Sequence, residues 1–245
     1  MDLLATTSAA AVSSYALLST VYKSVQALYA QPTISSSLQD SLGQAEVVLP
    51  SVDVIVPCFN ENPNTLAECL ESIASQNYAG KMRVYVVDDG SANRDVVAPV
   101  HQIYAIDPRF NIILLANNVG KRKAQIAAIR SSSGDLVVNV DSDTVLAPDV
   151  VTKLVLKMHD PEIGAAMGQL VASNRNQTWL TRLIDMEYWL ACNEERAAQA
   201  RASVPSCVAA AHVQCIGVPH SPCFLISTKR NSFVGSRVIS ARTAI

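Results

Sequence analysis

Four short polar clusters carry the residue types from which a site is built. Pro57-Cys58-Phe59-Asn60-Glu61, Asp88-Asp89-Gly90-Ser91, Asn117-Asn118-Val119-Gly120-Lys121-Arg122-Lys123 and Asp141-Ser142-Asp143 each follow a short apolar run. Asp141 and Asp143 are two apart. If extended geometry persists there, both carboxylates project to one side, where hard oxygens suit Mg²⁺ or Mn²⁺ against a diphosphate. Such an ion would neutralise charge on a departing nucleoside diphosphate. Read alone, the pair is more often a turn before a helix; three further clusters in the same rhythm favour a site. Gly120-Lys121-Arg122-Lys123 opens a helical pattern, and amides at a helix start with basic side chains suit phosphate oxygens. It is not a Walker A loop, because Arg122 stands where Ser or Thr is required. Asp88-Asp89-Gly90-Ser91 reads as a turn, or as a carboxylate accepting hydrogen bonds from a base or ribose. His101 and His159 fall in helical patterns without an assigned role.

The elements that position these clusters alternate. Val52–Val56, Val84–Val87, Ile112–Leu115, Leu136–Val140 and Ile163–Leu170 read as strands buried on both faces. Helical patterns cover Thr65–Ser75, Val96–Ile106, Lys121–Ser131, Asp149–Met158 (with Asp149 as cap) and Trp179–Arg201, the longest. The alternation predicts an α/β fold with a mostly parallel sheet flanked by helices. Ligands then bind beyond the C-terminal strand ends, where all four clusters fall. Before the first strand, residues 31–50 read as a linker and residues 1–30 as a hydrophobic helix. Leu3 to Tyr22 holds no charge, a length that spans a bilayer, and Lys23 after it places the remainder in the cytoplasm.

Composition narrows the class. The chain has 245 residues, 49% of them hydrophobic, and a formal net charge of -2, which argues against a nucleic-acid surface. The six cysteines form no CxxC pair, and Cys58, Cys69 and Cys192 read as reduced thiols. In the tail, the spacing of Cys207, His212, Cys215, His220 and Cys223 fits no common zinc module.

Val-Pro-Cys-Phe-Asn-Glu, Val-Asp-Asp-Gly-Ser, Asn-Val-Gly-Lys-Arg and Val-Asp-Ser-Asp, in this order, resemble family 2 glycosyltransferases with a GT-A fold. Within that family the chain is similar to the nodulation protein C/hyaluronan synthase branch over roughly residues 1–201, including Asn174-Arg175-Asn176-Gln177-Thr178-Trp179 and Met186-Glu187-Tyr188-Trp189. The resemblance implies UDP-N-acetylglucosamine as donor. It implies successive inverting β-1,4 transfers onto a growing chito-oligosaccharide, the backbone of a legume nodulation signal. It implies donor-nucleotide contacts from Phe59, Glu61, Asp88, Asp89, Lys121 and Asp141, and a divalent metal, Mg²⁺ or Mn²⁺, on Asp141 and Asp143. It also implies a membrane anchor at the N-terminus and a catalytic region on the cytoplasmic side.

After Arg201 the family pattern stops. The family's Gly-Glu-Asp, whose Asp is the catalytic base, its Gln-x-x-Arg-Trp motif and its C-terminal membrane helices do not occur here. Arg196 to Ile245 contains no Asp or Glu, so no carboxylate base is expected from it. Shifting the frame by one base within the family's Cys-rich segment can generate Ser206 to Cys215, so residues 202–245 are expected to be a frameshifted, disordered tail. By this reading the chain binds a nucleotide sugar and is inactive in transfer.

Overall fold

The computed structural model describes residues 2–30, 49–159, 163–169, 171–195, 198, 213–217 and 237–241. The helices are α1 (Asp2–Tyr29), α2 (Pro63–Ala74), α3 (Arg94–Tyr104), α4 (Lys121–Ser131), α5 (Val150–Met158) and α6 (Trp179–Leu190), the last continued by a π-helical turn, Ala191–Glu195. The strands are β1 (Val52–Cys58), β2 (Met82–Asp88), β3 (Phe110–Leu114), β4 (Leu136–Val140), β5 (Ile163–Gly168), β6 (Val213–Gly217) and β7 (Arg237–Ala241).

The sheet order is β3-β2-β1-β4-β6-β5-β7. β1 pairs in parallel with β2 and β4, and β2 with β3. β6 runs antiparallel between β4 and β5, and β7 lies parallel to β5. Because β2 lies on one side of β1 and β4 on the other, chain order reverses between β1 and β4, where a crevice opens beyond the strand ends.

Alternation along β1 divides the core between two layers. Val52, Val54, Val56 and Cys58 face one side, with Leu66, Leu70 and Ile73 of α2, Val97 and Val100 of α3 and Leu154 of α5. Ile55 faces the other with Tyr85, Val87 and Val137, against Ala124 and Ala128 of α4. Helices on both faces make near-continuous apolar strands the stable choice. Asp53 is the exception. It is fully buried in β1, where it accepts both Arg83 Nε and Nη2, at 2.8 and 2.9 Å. The backbone N–H groups of Ser133 and Gly134 complete its shell at 2.9 and 2.8 Å.

Several expectations are corrected. α2 starts two residues before Thr65, because Asn62 Oδ1 accepts the N–H groups of Asn64 and Thr65 and Pro63 occupies the first turn. Asp149 makes no capping hydrogen bond; it pairs with Lys153 at 2.6 Å one turn on. The α-helix expected over Trp179–Arg201 ends at Leu190 and widens into the π-turn, where Asn193 Nδ2 donates to Trp189 O at 3.0 Å. Two segments of the 202–245 tail, 213–217 and 237–241, are strands of the sheet; its other residues, like the 31–48 part of the linker, lie outside the described ones. α1 forms one helix of 28 residues. Among the described residues no helix is long and apolar enough to cross a membrane, because Thr6, Thr7, Ser8, Ser13, Ser14, Ser19 and Thr20 dilute α1.

Candidate active site at the strand exits

The four polar clusters meet in a closed ring of contacts. Asn60, which adopts the left-handed backbone (φ 52°), donates its N–H to Ser91 Oγ at 2.9 Å. Its Oδ1 accepts the Ala92 N–H at 2.7 Å. Asp89 accepts the N–H groups of Val119 and Gly120, each at 2.8 Å. Lys121 Nζ meets Asp141 Oδ1 at 2.6 Å. Ser142 Oγ donates to Glu61 Oε2 at 2.7 Å, which returns the ring to the β1 exit. The Ser142–Glu61 bond crosses between the exits of β1 and β4, at the point where strand order reverses.

The ring separates the sequence-identified residues into two groups. Phe59, Glu61, Lys121, Asp141 and Asp143 have solvent access: Phe59 is 46% exposed, and the Lys121 and Asp141 side chains are 57% and 21% exposed. Asp88 and Asp89 do not, at 0% and 2%. Asp88 Oδ1 accepts the Ser91 N–H at 2.8 Å and Arg94 Nη2 at 2.9 Å. Burial pushes the Asp88 carboxyl up, but the bonds from Arg94 and Ser91 outweigh it and hold it below the ordinary carboxylate range. These carboxylates shape the rim from below. Asp88 binds protein donors through Oδ1 alone, and Asp89 through both of its oxygens.

The helix-start amides expected to cradle phosphate are also partly engaged. Asp89 takes two of them and so places a negative charge at the start of α4, where the helix dipole favours it. The Lys121 side chain stands at the same helix start. Gly120 has φ 91° with open space around it, whereas Gly90 has φ 70° and is pressed against the next loop. A Cβ on Gly90 would lie 2.3 Å from the Asn117 carbonyl carbon. β2 and β3 can therefore release their loops side by side only with glycine at 90.

Asp141 and Asp143 do not continue β4. The strand ends at Val140, and the Thr144 N–H donates to Asp141 O at 3.0 Å, closing a turn over them. The same-side projection expected from extended geometry is replaced by this turn. Among the described residues, the group of three metal-ligand types brought within 4.8 Å of one another is Cys58, Asp88 and His101, not the Asp141–Asp143 pair with a third ligand. Cys58 and Cys69 are both free and buried. Burial, with nearby acidic groups adding, pushes each thiol up to about 12, so both stay protonated at neutral pH.

Arg94 and His101 carry no motif in the sequence, and Ser142 stands inside the Asp141-Ser142-Asp143 cluster without an assigned role. Arg94 had one available signal, its place in the first turn of the helix after the acidic cluster. Arg94 and His101, seven apart, also share one face of α3.

A mostly parallel sheet with helices on both faces and an acidic, lysine-bearing rim at its switch point is a GT-A type fold. The glycosyl transferase family 2 model matches residues 53–214; the chain belongs to that family. An N-acetylglucosaminyltransferase of Bradyrhizobium diazoefficiens is 89% identical over 207 residues, covering 84% of this chain and 42% of that protein. One of Bradyrhizobium elkanii is 82% identical over 182 residues, 74% of this chain and 100% of that protein. The elkanii protein apart, the chain spans about half the length of the curated relatives it matches. Among solved structures, the mannosyltransferase PcManGT from Pyrobaculum calidifontis, in complex with GDP-Man and Mn²⁺, shares the fold. Its TM-score is 0.60 at 22% identity, over 94% of this chain and 67% of that one.

Proposed function

We propose that this chain carries the donor-binding half of an inverting N-acetylglucosaminyltransferase. UDP-N-acetylglucosamine is its donor and a growing β-1,4-linked chito-oligosaccharide its acceptor, the product being the backbone of a nodulation signal. The carrying observation is the ring through Asn60, Ser91, Asp89, Gly120, Lys121, Asp141, Ser142 and Glu61, which gathers four strand exits around one crevice. The printed names of the relatives support the sugar transferred.

Phe59 and Glu61 line the β1 side, where a base and ribose would lie. Lys121 now neutralises Asp141 across 2.6 Å. A diphosphate would draw the ammonium to itself and leave the Asp141 carboxylate to a cation. Asp141 and Asp143 offer two hard oxygen donors from one turn, a donor set that suits Mg²⁺ or Mn²⁺ with phosphate oxygens completing the shell. A divalent ion there, when bound, would stabilise charge on the departing diphosphate. Asp88 and Asp89 hold the loops that form the rim.

Localisation at the cell membrane, with the catalytic region on the cytoplasmic side, belongs to the same proposal. Its support is the apolar surface of α1, where Val12, Tyr15, Leu17, Leu18 and Tyr22 are exposed. That helix would lie against lipid rather than cross it.

The test is incubation of membranes holding the chain with radiolabelled UDP-N-acetylglucosamine, Mn²⁺ and a chito-oligosaccharide acceptor. Labelled, chitinase-sensitive oligomers support transfer. UDP binding without product restricts the chain to donor binding, and neither binding nor product overturns the proposal.

A further inference from the structure

Beneath the rim lies a buried polar cluster that the donor site does not use. Asp88 is 0% and His101 5% exposed. Asp88 Oδ1 has two donors, Ser91 N and Arg94 Nη2. Asp88 Oδ2 and His101 Nε2 are each buried without a hydrogen-bond partner. Ligand atoms of the two side chains, with Cys58 Sγ, lie within 4.8 Å of one another. A buried acceptor and a buried ring nitrogen left unpaired are both unfavourable, and one hydrogen bond between them satisfies both.

We propose that His101 is a positioning residue for the donor site: a small rotation of its ring lets Nε2–H donate to Asp88 Oδ2, adding a third donor to the carboxylate that Ser91 and Arg94 already hold. What Asp88 then fixes is the rim. The Ser91 hydroxyl accepts Asn60 N–H at the β1 exit, and Arg94 Nη2 also donates to Leu115 O at the β3 exit, 2.6 Å away. Three strand exits thus hang on one carboxylate. His101 reaches it from two turns along α3, the helix that Arg94 begins. Burial, with Arg94 adding, outweighs the opposite pull of Asp88 and holds the His101 imidazole below its ordinary value.

The same three side chains could be read as a soft-metal site. Two observations oppose that. The Cys58 thiol, pushed up to about 12, directs its hydrogen to Val87 O at 3.5 Å, whereas a metal needs the thiolate. The Arg94 guanidinium also sits on Asp88 and would repel a cation.

The inference rests on the rim being the nucleotide site, and two measurements on the full chain keep the two apart. The first is the histidine ring tautomer by ¹⁵N NMR, without ligand. The His101 ring should be neutral with its proton on Nε2, slow to exchange. A bare Nε2, an imidazolium, or one zinc per chain retained through purification and lost in His101→Gln overturns the proposal. The second is UDP affinity by calorimetry. His101→Leu should weaken it about tenfold, the worth of one buried hydrogen bond. His101→Gln, which keeps a donor, should return it to within about twofold. Folded His101→Leu with unchanged UDP affinity, or equal losses in both variants, overturns the positioning role. If wild type binds no UDP, the donor-site reading fails, and the tautomer still decides the Asp88–His101 bond.

Discussion

At the scale of single residues, the chain spends buried charge to hold backbone. Asp53 inside β1 fixes Arg83 and two N–H groups of the loop before β4. Asp88 and Asp89 fix the loops after β1, β2 and β3. Replacing such a carboxylate strands its donors. Asp53→Ala leaves the buried Gly134 N–H unpaired and Arg83 without its carboxylate, and should cost about 3 kcal/mol. Urea unfolding should show this as a lower midpoint at unchanged slope. Acid stability follows from three groups held below their ordinary values, His101, Asp88 and Asp107. The folded His101 sits below its ordinary 6.5. As pH falls past 6.5 the unfolded chain takes the proton first, so stability present above that value is lost on the way down to the folded value. Asp88, held by Arg94, and Asp107, held by Arg109, sit below 3.8, so a second loss begins as pH falls past 3.8, again because the unfolded chain protonates first. Thermal melts between pH 8 and pH 3 should show both steps, and His101→Leu should remove the first alone. A wild-type melting temperature that is flat from pH 7 to pH 5 would contradict the first step.

At the scale of elements, the strand-exit loops are the part under geometric pressure. Gly90 and Gly120 both have positive φ, but only Gly90 touches neighbouring backbone. Gly90→Ala should therefore destabilise far more than Gly120→Ala, whose cost is about 1 kcal/mol of left-handed strain; thermal unfolding of the two variants gives the comparison. The parallel strands were legible because apolar runs of that length, ended by Asp, Asn or Gly, have few other readings. Asp53 escaped notice inside such a run, since its need for Arg83 and for the loop at Ser133 appears only when distant segments are adjacent. The four rim clusters were legible as types. Their orientation was not: whether an aspartate faces a ligand or a neighbouring amide depends on the backbone that carries it; Asp88 ends β2, whereas Asp89, Asp141 and Asp143 follow strand ends. In α6 the apolar spacing was legible as helix, while the exposure of its apolar residues was not. Trp179, Leu180, Leu183, Ile184, Tyr188 and Trp189 are all exposed on it. Adding the neutral surfactant dodecyl maltoside should blue-shift the tryptophan emission, because both tryptophans of the chain, Trp179 and Trp189, lie on this surface.

At the scale of the whole molecule, the sheet arranges its order so that β1 and β4 part at their C-terminal ends, and the Ser142–Glu61 contact of the rim crosses that parting. β6 and β7 extend the sheet beyond β4 on the side away from β2 and β3, so the crevice lies within the sheet and not at its edge. The Lys121–Asp141 pair is the point where an anion and a cation would enter together. Calorimetric titration of UDP into the chain with Mn²⁺ present tests this most directly. Saturable one-to-one binding, weakened at least tenfold in both Lys121→Met and Asp141→Asn, is the expected result. No saturable binding by the folded chain, or equal affinity in the wild type and both variants, would contradict it.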